Sequence, residues 1–185
     1  MSFGTEAGGG AAAPPAEGAM NIVLLEPEMP ANTGNIGRTC VATGSRLHLI
    51  EPLGFKINEK MVRRAGLDYW DSLDVTVYDS YGDFLERNPG AVKKIYMATT
   101  KASHVYTEVS YEPGAYLMFG KESAGIPEEL LKEHPETAVR IPMMGGIRSL
   151  NLANSVAVVL YEALRQNAFA HLVRQGRPRT FQWEL

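Results

Sequence analysis

The sequence predicts an α/β fold on a mostly parallel sheet. Short apolar runs alternate with stretches of helical spacing along the whole chain. Turns bearing glycine or proline follow those runs. One stretch, Val139–Tyr161, joins an apolar strand, a glycine turn, a polar cluster and a long apolar helix in sequence. The last arrangement suits a small ligand held against backbone amides at a helix start. The totals agree with one globular domain: 185 residues, 45% hydrophobic and 21% charged.

Residues Met1 to Ala19 are rich in glycine, alanine and proline and carry no apolar periodicity. They read as a disordered extension or a cloning remnant, without the apolar core of a secretory signal. Glu6 and Glu17, with no arginine beside them, also argue against a transit peptide. The folded domain is expected over residues 20–168, followed by a partly basic tail over 169–185. Candidate strands are Asn21–Glu26, Arg46–Ile50, Val75–Tyr78, Lys94–Ala98, Ala115–Phe119 and Ala138–Ile141. Helices are expected near Asn35–Thr43, Asn58–Ala65, Tyr81–Arg87 and Pro127–Lys132. Asn32 or Asn35 would cap the first of these and Gly44 would stop it. A final helix over about Leu150–Ala168 is apolar at Leu152, Val156, Val159, Leu160 and Ala163. So broad an apolar surface points to burial on two sides, in part against another subunit.

Composition excludes several chemistries. The single cysteine, Cys40, rules out an internal disulfide and a multi-cysteine zinc site, which fits a reducing, cytoplasmic setting. The four histidines are scattered without metal-binding spacing, so no metal is expected. No apolar run approaches the ~18 residues of a membrane helix, and no membrane partner is expected. The net charge of −3 leaves nucleic-acid binding to local basic patches. The first strand leads into Pro27-Glu28-Met29-Pro30, where a dinucleotide fold would need glycines. Gly120-Lys121 is followed by Glu122, where a phosphate loop needs serine or threonine. No Gly-x-Ser-x-Gly occurs, so a serine hydrolase has no support.

Three strand ends are candidates for the site, because parallel sheets bind ligands at the carboxyl edge. These are Ala98-Thr99-Thr100-Lys101, the loop Gly120–Gly125, and the turn after Ile141 that leads to Arg148, Ser149, Leu150 and Asn151. Taken singly, each could be an ordinary chain turn. The segment Asn32-Thr33-Gly34-Asn35-Ile36-Gly37-Arg38 has two readings: a capped helix with a solvated arginine, or an arginine beside an anion-binding helix start.

NTGNIGR at 32–38, FGKESAGIP at 119–127 and IPMMGGIRSLNLANSVAVVLYEALRQ at 141–166 resemble the three motifs of the SpoU branch of the SPOUT methyltransferases. The likeness covers about Met20 to Gln166. NIVLLEPEMPANTGNIGRTC and RRAGLDYW are similar to its minimal-length members, which methylate the ribose 2'-hydroxyl of the wobble nucleotide, cytidine or modified uridine, in tRNA. The resemblance implies a parallel-sheet α/β knot, a C-terminal trefoil in a single minimal domain, and a homodimer joined through the knot and the C-terminal helix. It also implies S-adenosyl-L-methionine as cofactor, contacted at Ala98 or Thr99, Gly120, Ile141 and Ser149, with Leu150 and Glu122 nearby. Arg38 would be catalytic, with Asn35, Ser149 and Asn151 shaping its surroundings. The expected RNA contacts are Arg38, Lys60, Arg63, Arg64 and Arg148, with Lys56 beside them. Tyr69 and Trp70 could pack in the core or stack on a base. His48 reads as a structural histidine. Two rival readings remain: the same chemistry on another tRNA or ribosomal nucleotide, and an RNA-binding module without activity.

Overall fold

The computed structural model describes residues 18–56 and 72–181. The expected helix over Asn58–Ala65 lies outside them, as do Lys60, Arg63, Arg64, Tyr69 and Trp70. The described strands are β1 (Asn21–Leu25), β2 (Arg46–Ile50), β3 (Val75–Tyr78), β4 (Ile95–Ala98), β5 (His104–Val105), β6 (Tyr116–Phe119) and β7 (Ala138–Arg140). The helices are α1 (Pro30–Thr43), α2 (Tyr81–Arg87), α3 (Ala91–Lys94), α4 (Glu128–Lys132) and α5 (Leu152–Gln166). All seven strands form one sheet in the order β3-β2-β1-β6-β4-β7-β5, and every pairing in it is parallel.

Burial on both faces explains why the strands read as unbroken apolar runs. Along β1, Ile22 and Leu24 face one layer while Val23 and Leu25 face the other. The first layer packs Leu47, Leu49, Leu117 and Phe119 against Ile36 and Cys40 of α1 and Val156, Val159, Leu160 and Ala163 of α5. The second packs Ile50, Ile95, Met97 and Met118 against Phe84 of α2 and Ile126. Burial also pushes the Cys40 thiol well above its ordinary range, which makes it an inert packing group. Past α5, Phe169 and Leu172 fold back onto the first layer.

The bounds of β2, β3 and α2 coincide with those read from the sequence. Helix α1 differs: it begins at Pro30, so Asn32 and Asn35 lie inside it and cap nothing. Proline at the first helical position supplies the start, since its missing N–H costs no helical bond. Gly44 ends α1 at φ 66°, in the left-handed region that glycine tolerates. Two short elements, α3 and β5, went unforeseen because neither is long enough to show periodicity.

Among the large buried side chains sits one polar chain of hydrogen bonds. Asn21 donates from Nδ2 to the Gly114 carbonyl at 3.0 Å, which leaves its Oδ1 to accept from His48 Nε2 at 3.1 Å. His48 Nδ1 then accepts from the Tyr78 hydroxyl at 2.8 Å, and Tyr78 accepts from Asn88 Nδ2 at 3.1 Å. The bond that Nδ1 accepts from Tyr78 requires neutral His48. Burial, reinforced slightly by Arg46 and opposed by Asp74, lowers its pKa from 6.5 to about 4.

Because the folded value lies below the unfolded one, the unfolded chain takes the proton first. Stability is therefore lost as pH falls below 6.5, until the folded form also protonates near 4. Between pH 7 and pH 5 this group alone is expected to remove about 2 kcal/mol. Urea denaturation of wild type and His48→Gln at both pH values checks this: the stability gap between them should shrink by that amount at pH 5. Parallel pH profiles would place the proton elsewhere.

Candidate active site

The carboxyl ends of three neighbouring strands, β6, β4 and β7, open into a cavity of about 530 Å³. Its walls come from Ala98–Lys101 after β4, Phe119–Gly125 after β6, and Ile141, Met143 and Arg148–Leu152 after β7. Met29, Asn32 and Ser155 complete it from the starts of α1 and α5. The three turns picked out in the sequence thus surround one space. Thr99 N donates to the Val139 carbonyl at 2.9 Å, which ties the end of β4 to β7. Lys101 Nζ lies 2.9 Å from Glu128 Oε1 at the start of α4, and this pairing lowers the Glu128 pKa.

Gly120 sets the shape of the second wall. A Cβ at this position would lie 2.1 Å from the Gly125 carbonyl carbon and 2.3 Å from the Ile126 nitrogen. Only a residue without a side chain lets the loop fold back this tightly. Lys121 and Gly125 close the turn with a backbone hydrogen bond of 2.8 Å.

Two glutamates then lock this loop to the segment between β1 and α1. Glu122 Oε2 accepts from Glu28 N at 2.9 Å, and its Oε1 accepts from Met29 N at 3.3 Å and from Asn32 Nδ2 at 2.9 Å. Negative charge at a helix start is favourable, so Glu122 serves α1 as a cap from a distant part of the chain. In exchange, Glu28 Oε2 accepts from Ser123 N at 2.8 Å and Oε1 from the Ser123 hydroxyl at 2.7 Å. Lys121 pairs with Glu26 at 2.7 Å beside them, which raises the lysine pKa. Asn32 passes the connection on: its Oδ1 accepts from Asn151 Nδ2 at 3.0 Å. Asn151 itself caps α5, accepting from Ala153 N at 2.9 Å and Asn154 N at 3.3 Å. Arg148 Nη2 donates to the Ser123 carbonyl at 2.6 Å, joining the third wall to the second.

Of the expected cofactor contacts, Ala98, Thr99, Gly120, Glu122, Ile141, Ser149 and Leu150 all line the cavity, and Asn151 and Arg148 line it too. Glu122 directs its oxygens into the helix start. Asn35 and Arg38 are not on the cavity walls; both are exposed on the outer side of α1. Asn32, not Asn35, is the motif asparagine that reaches the cavity. The sequence carried a signal for it: Asn32, Ile36 and Cys40 recur at helical spacing on the buried side, whereas Asn35 and Arg38 fall on the exposed side. Lys101 lies on one of the three expected strand ends, whereas Glu28 was missed. Lys56 is exposed on the loop after β2.

Residues 19–161 match the SpoU rRNA methylase family. The chain belongs to that family. Among its relatives is an Escherichia coli K12 protein named tRNA (cytidine(34)-2'-O)-methyltransferase, 51% identical over 80% of this chain and 93% of its own length. A solved structure described as giving insight into 2-OH methylation of C/U34 on tRNA is 44% identical, with a TM-score of 0.75 over 81% of this chain and 97% of its own. An AdoMet-bound rRNA methyltransferase from Sinorhizobium meliloti is 28% identical, with a TM-score of 0.71 over 82% of this chain and 57% of its own. The cavity and all its lining residues lie within the stretch that matches the family.

Gly120→Ala is expected to force the loop Gly120–Gly125 off its turn, since the added methyl meets backbone and no flexible side chain. The variant should lose at least about 2 kcal/mol of stability or surrender the cavity. Thermal unfolding combined with calorimetric titration of S-adenosylmethionine checks this. Wild-type values in both would show that the loop relaxes freely.

Proposed function

We propose that this chain transfers a methyl group from S-adenosylmethionine to the ribose 2'-hydroxyl of the wobble nucleotide in tRNA. The observation that carries the reading is the cavity at the ends of β4, β6 and β7, lined by Ala98–Lys101, by Asn32 of 32–38 and by the segments 119–125 and 141–152 that resemble SpoU motifs. Its volume of about 530 Å³ falls within the range of sites for small organic ligands, ~300–1,000 Å³. The wobble nucleotide is the target named for the E. coli relative, which this chain matches over nearly that protein's whole length. Backbone at Ala98, Thr99, Gly120 and Ile141, with Ser149 and Leu150, would hold the cofactor, whose sulfonium methyl is the group transferred.

The remaining steps belong to the protein's own residues. The cavity walls fix the donor, so that rate comes mainly from alignment of the incoming oxygen. A guanidinium offers donors and no acceptor, so Arg38 is not assigned the role of base. Its planar fork suits the phosphate beside the target ribose and stabilises charge developing on the 2'-oxygen, while that phosphate or a water takes the hydroxyl proton. Asn151 holds the start of α5 at the cavity while Asn32 fixes α1, the helix that bears Arg38. Arg148 and Lys56, with Lys60, Arg63 and Arg64, supply the positive charge for RNA.

The reading includes a homodimer and a trefoil knot, both supported by membership in the SpoU family. Val158 and Tyr161, exposed large side chains on α5, and Met29 ahead of α1 support a surface for a second copy. Among the described residues no helix is long and apolar enough to cross a membrane, and a tRNA substrate fits a cytoplasmic enzyme.

Mapping ribose methylation in total tRNA from cells lacking the protein, then restoring it with purified enzyme, tests the function. The methyl group should vanish from and return to the wobble nucleotide; its return at another position would reassign the target. Arg38→Lys keeps the charge but loses the fork. Its turnover at saturating tRNA and S-adenosylmethionine should fall by about ten-fold or more. Nearly full turnover would show that charge alone suffices.

A further inference from the structure

We propose that Glu28 is a positioning residue for the cofactor cavity, acting through Ser123 on the loop Gly120–Gly125 and on Arg148. The inference rests on the reading that this cavity holds S-adenosylmethionine. Ser123 is exposed, so water could satisfy all its polar groups. Instead each one is committed within the protein. Its N–H and hydroxyl donate to the two carboxylate oxygens of Glu28, and its carbonyl accepts from Arg148. Three segments far apart in the chain therefore meet at one serine.

Glu28 is itself held rigidly. Its own N–H donates to Glu122, and Gly54 lies so close that an added Cβ would sit 2.7 Å from the Glu28 Cα. Gly54 N also donates to the Pro27 carbonyl at 2.9 Å. The Ser123 hydrogen bonds, helped by nearby Lys121, keep the Glu28 carboxyl below its ordinary range, so it is an ionised acceptor at neutral pH. Glu28 does not line the cavity, yet Ser123 and Arg148 both do. Its effect on the cofactor must pass through them. Hydrogen bonds to a charged acceptor are the stronger kind, and two of them converge here.

Steady-state methyl transfer by the full chain on tRNA, with S-adenosylmethionine varied, tests this in Glu28→Ala and Glu28→Gln. Glu28→Ala should raise the KM for S-adenosylmethionine about ten-fold. Its kcat should stay within about two-fold, and its KM for tRNA should move less than that for S-adenosylmethionine, because Arg148 loses an anchor but keeps its charge. Glu28→Gln should restore the wild-type KM, because its Oε1 can accept from Ser123 N and its Nε2 can donate to the Ser123 hydroxyl. Glu28→Ala combined with Ser123→Ala should cost less than the sum of the two, since both delete the same hydroxyl bond. An unchanged KM in Glu28→Ala, a shift in the tRNA KM instead, or equal losses in the Ala and Gln variants would overturn the proposal. Amide hydrogen exchange on the cofactor-free protein gives a readout independent of activity. Glu28→Ala should speed exchange at residues 120–125 and 147–151, and unchanged protection there would overturn the proposal. If Glu28→Ala does not fold, Ser123→Ala carries the same two measurements. A wild-type chain that binds no S-adenosylmethionine would instead sink the functional reading, and exchange alone would decide the role of Glu28.

Discussion

A carboxylate that accepts three hydrogen bonds from a segment some ninety residues earlier cannot shift without moving that segment too. Glu122 holds this place. It fixes the wall loop after β6 to the start of α1, while Glu28 returns the same service to Ser123. The exchange is reciprocal, so neither loop can be displaced alone. Asn32 extends it to Asn151 and hence to the start of α5. The cavity keeps its shape because its walls are bonded to one another, not because each wall is rigid by itself.

The sheet makes that exchange possible. With β6 beside β1, the turns that follow the two strands emerge next to each other at the carboxyl edge. With β4 between β6 and β7, the other two walls emerge alongside. Apolar burial on both faces fixes the strand register, and register fixes which residues reach the edge. A slip by one residue would turn Phe119 and Val139 away from their layers and carry Gly120 away from Gly125. The hydrophobic core thus acts on the chemistry only through the positions of three strand ends. His48, on β2 near the edge of the sheet away from β4 and β7, takes no part in the cavity, and its hydrogen-bond chain serves the core alone.

Strands buried on both faces were legible in the sequence, because continuous apolar runs bounded by turns admit few other readings. The runs within Asn21–Glu26 and Ala115–Phe119 needed nothing more. The start of α1 was not legible. Its anionic cap is Glu122, and local rules look only a few residues away, so they settled on Asn32 and Asn35. The same limit hid Glu28, whose partner is ninety-five residues further along. Strand β5, two residues long, exists only through its pairing with β7. The motif segments were legible as a set; which asparagine faced inward was decided by helix phase, a feature present in the sequence but outweighed by proximity to Arg38.

The placement of Arg38 bears on how RNA must approach. Asn32 touches the cavity, and Arg38 lies six residues further along α1, roughly 9 Å up the helix axis and on its exposed side. On the proposed function, a side chain reaching from there would meet a nucleotide lying over the cavity mouth rather than one buried within it. That separation suits the reaction. A small donor fits inside a cavity of about 530 Å³, whereas a polynucleotide must stay outside and present only one ribose. It also resolves the charge problem of an acidic protein acting on a polyanion, since only the rim needs to be basic. Glu28 and Glu122 keep their charge but have their oxygens committed to N–H groups and a serine hydroxyl within the protein. Any phosphate near them therefore needs the arginines of the proposed RNA surface to outweigh that charge.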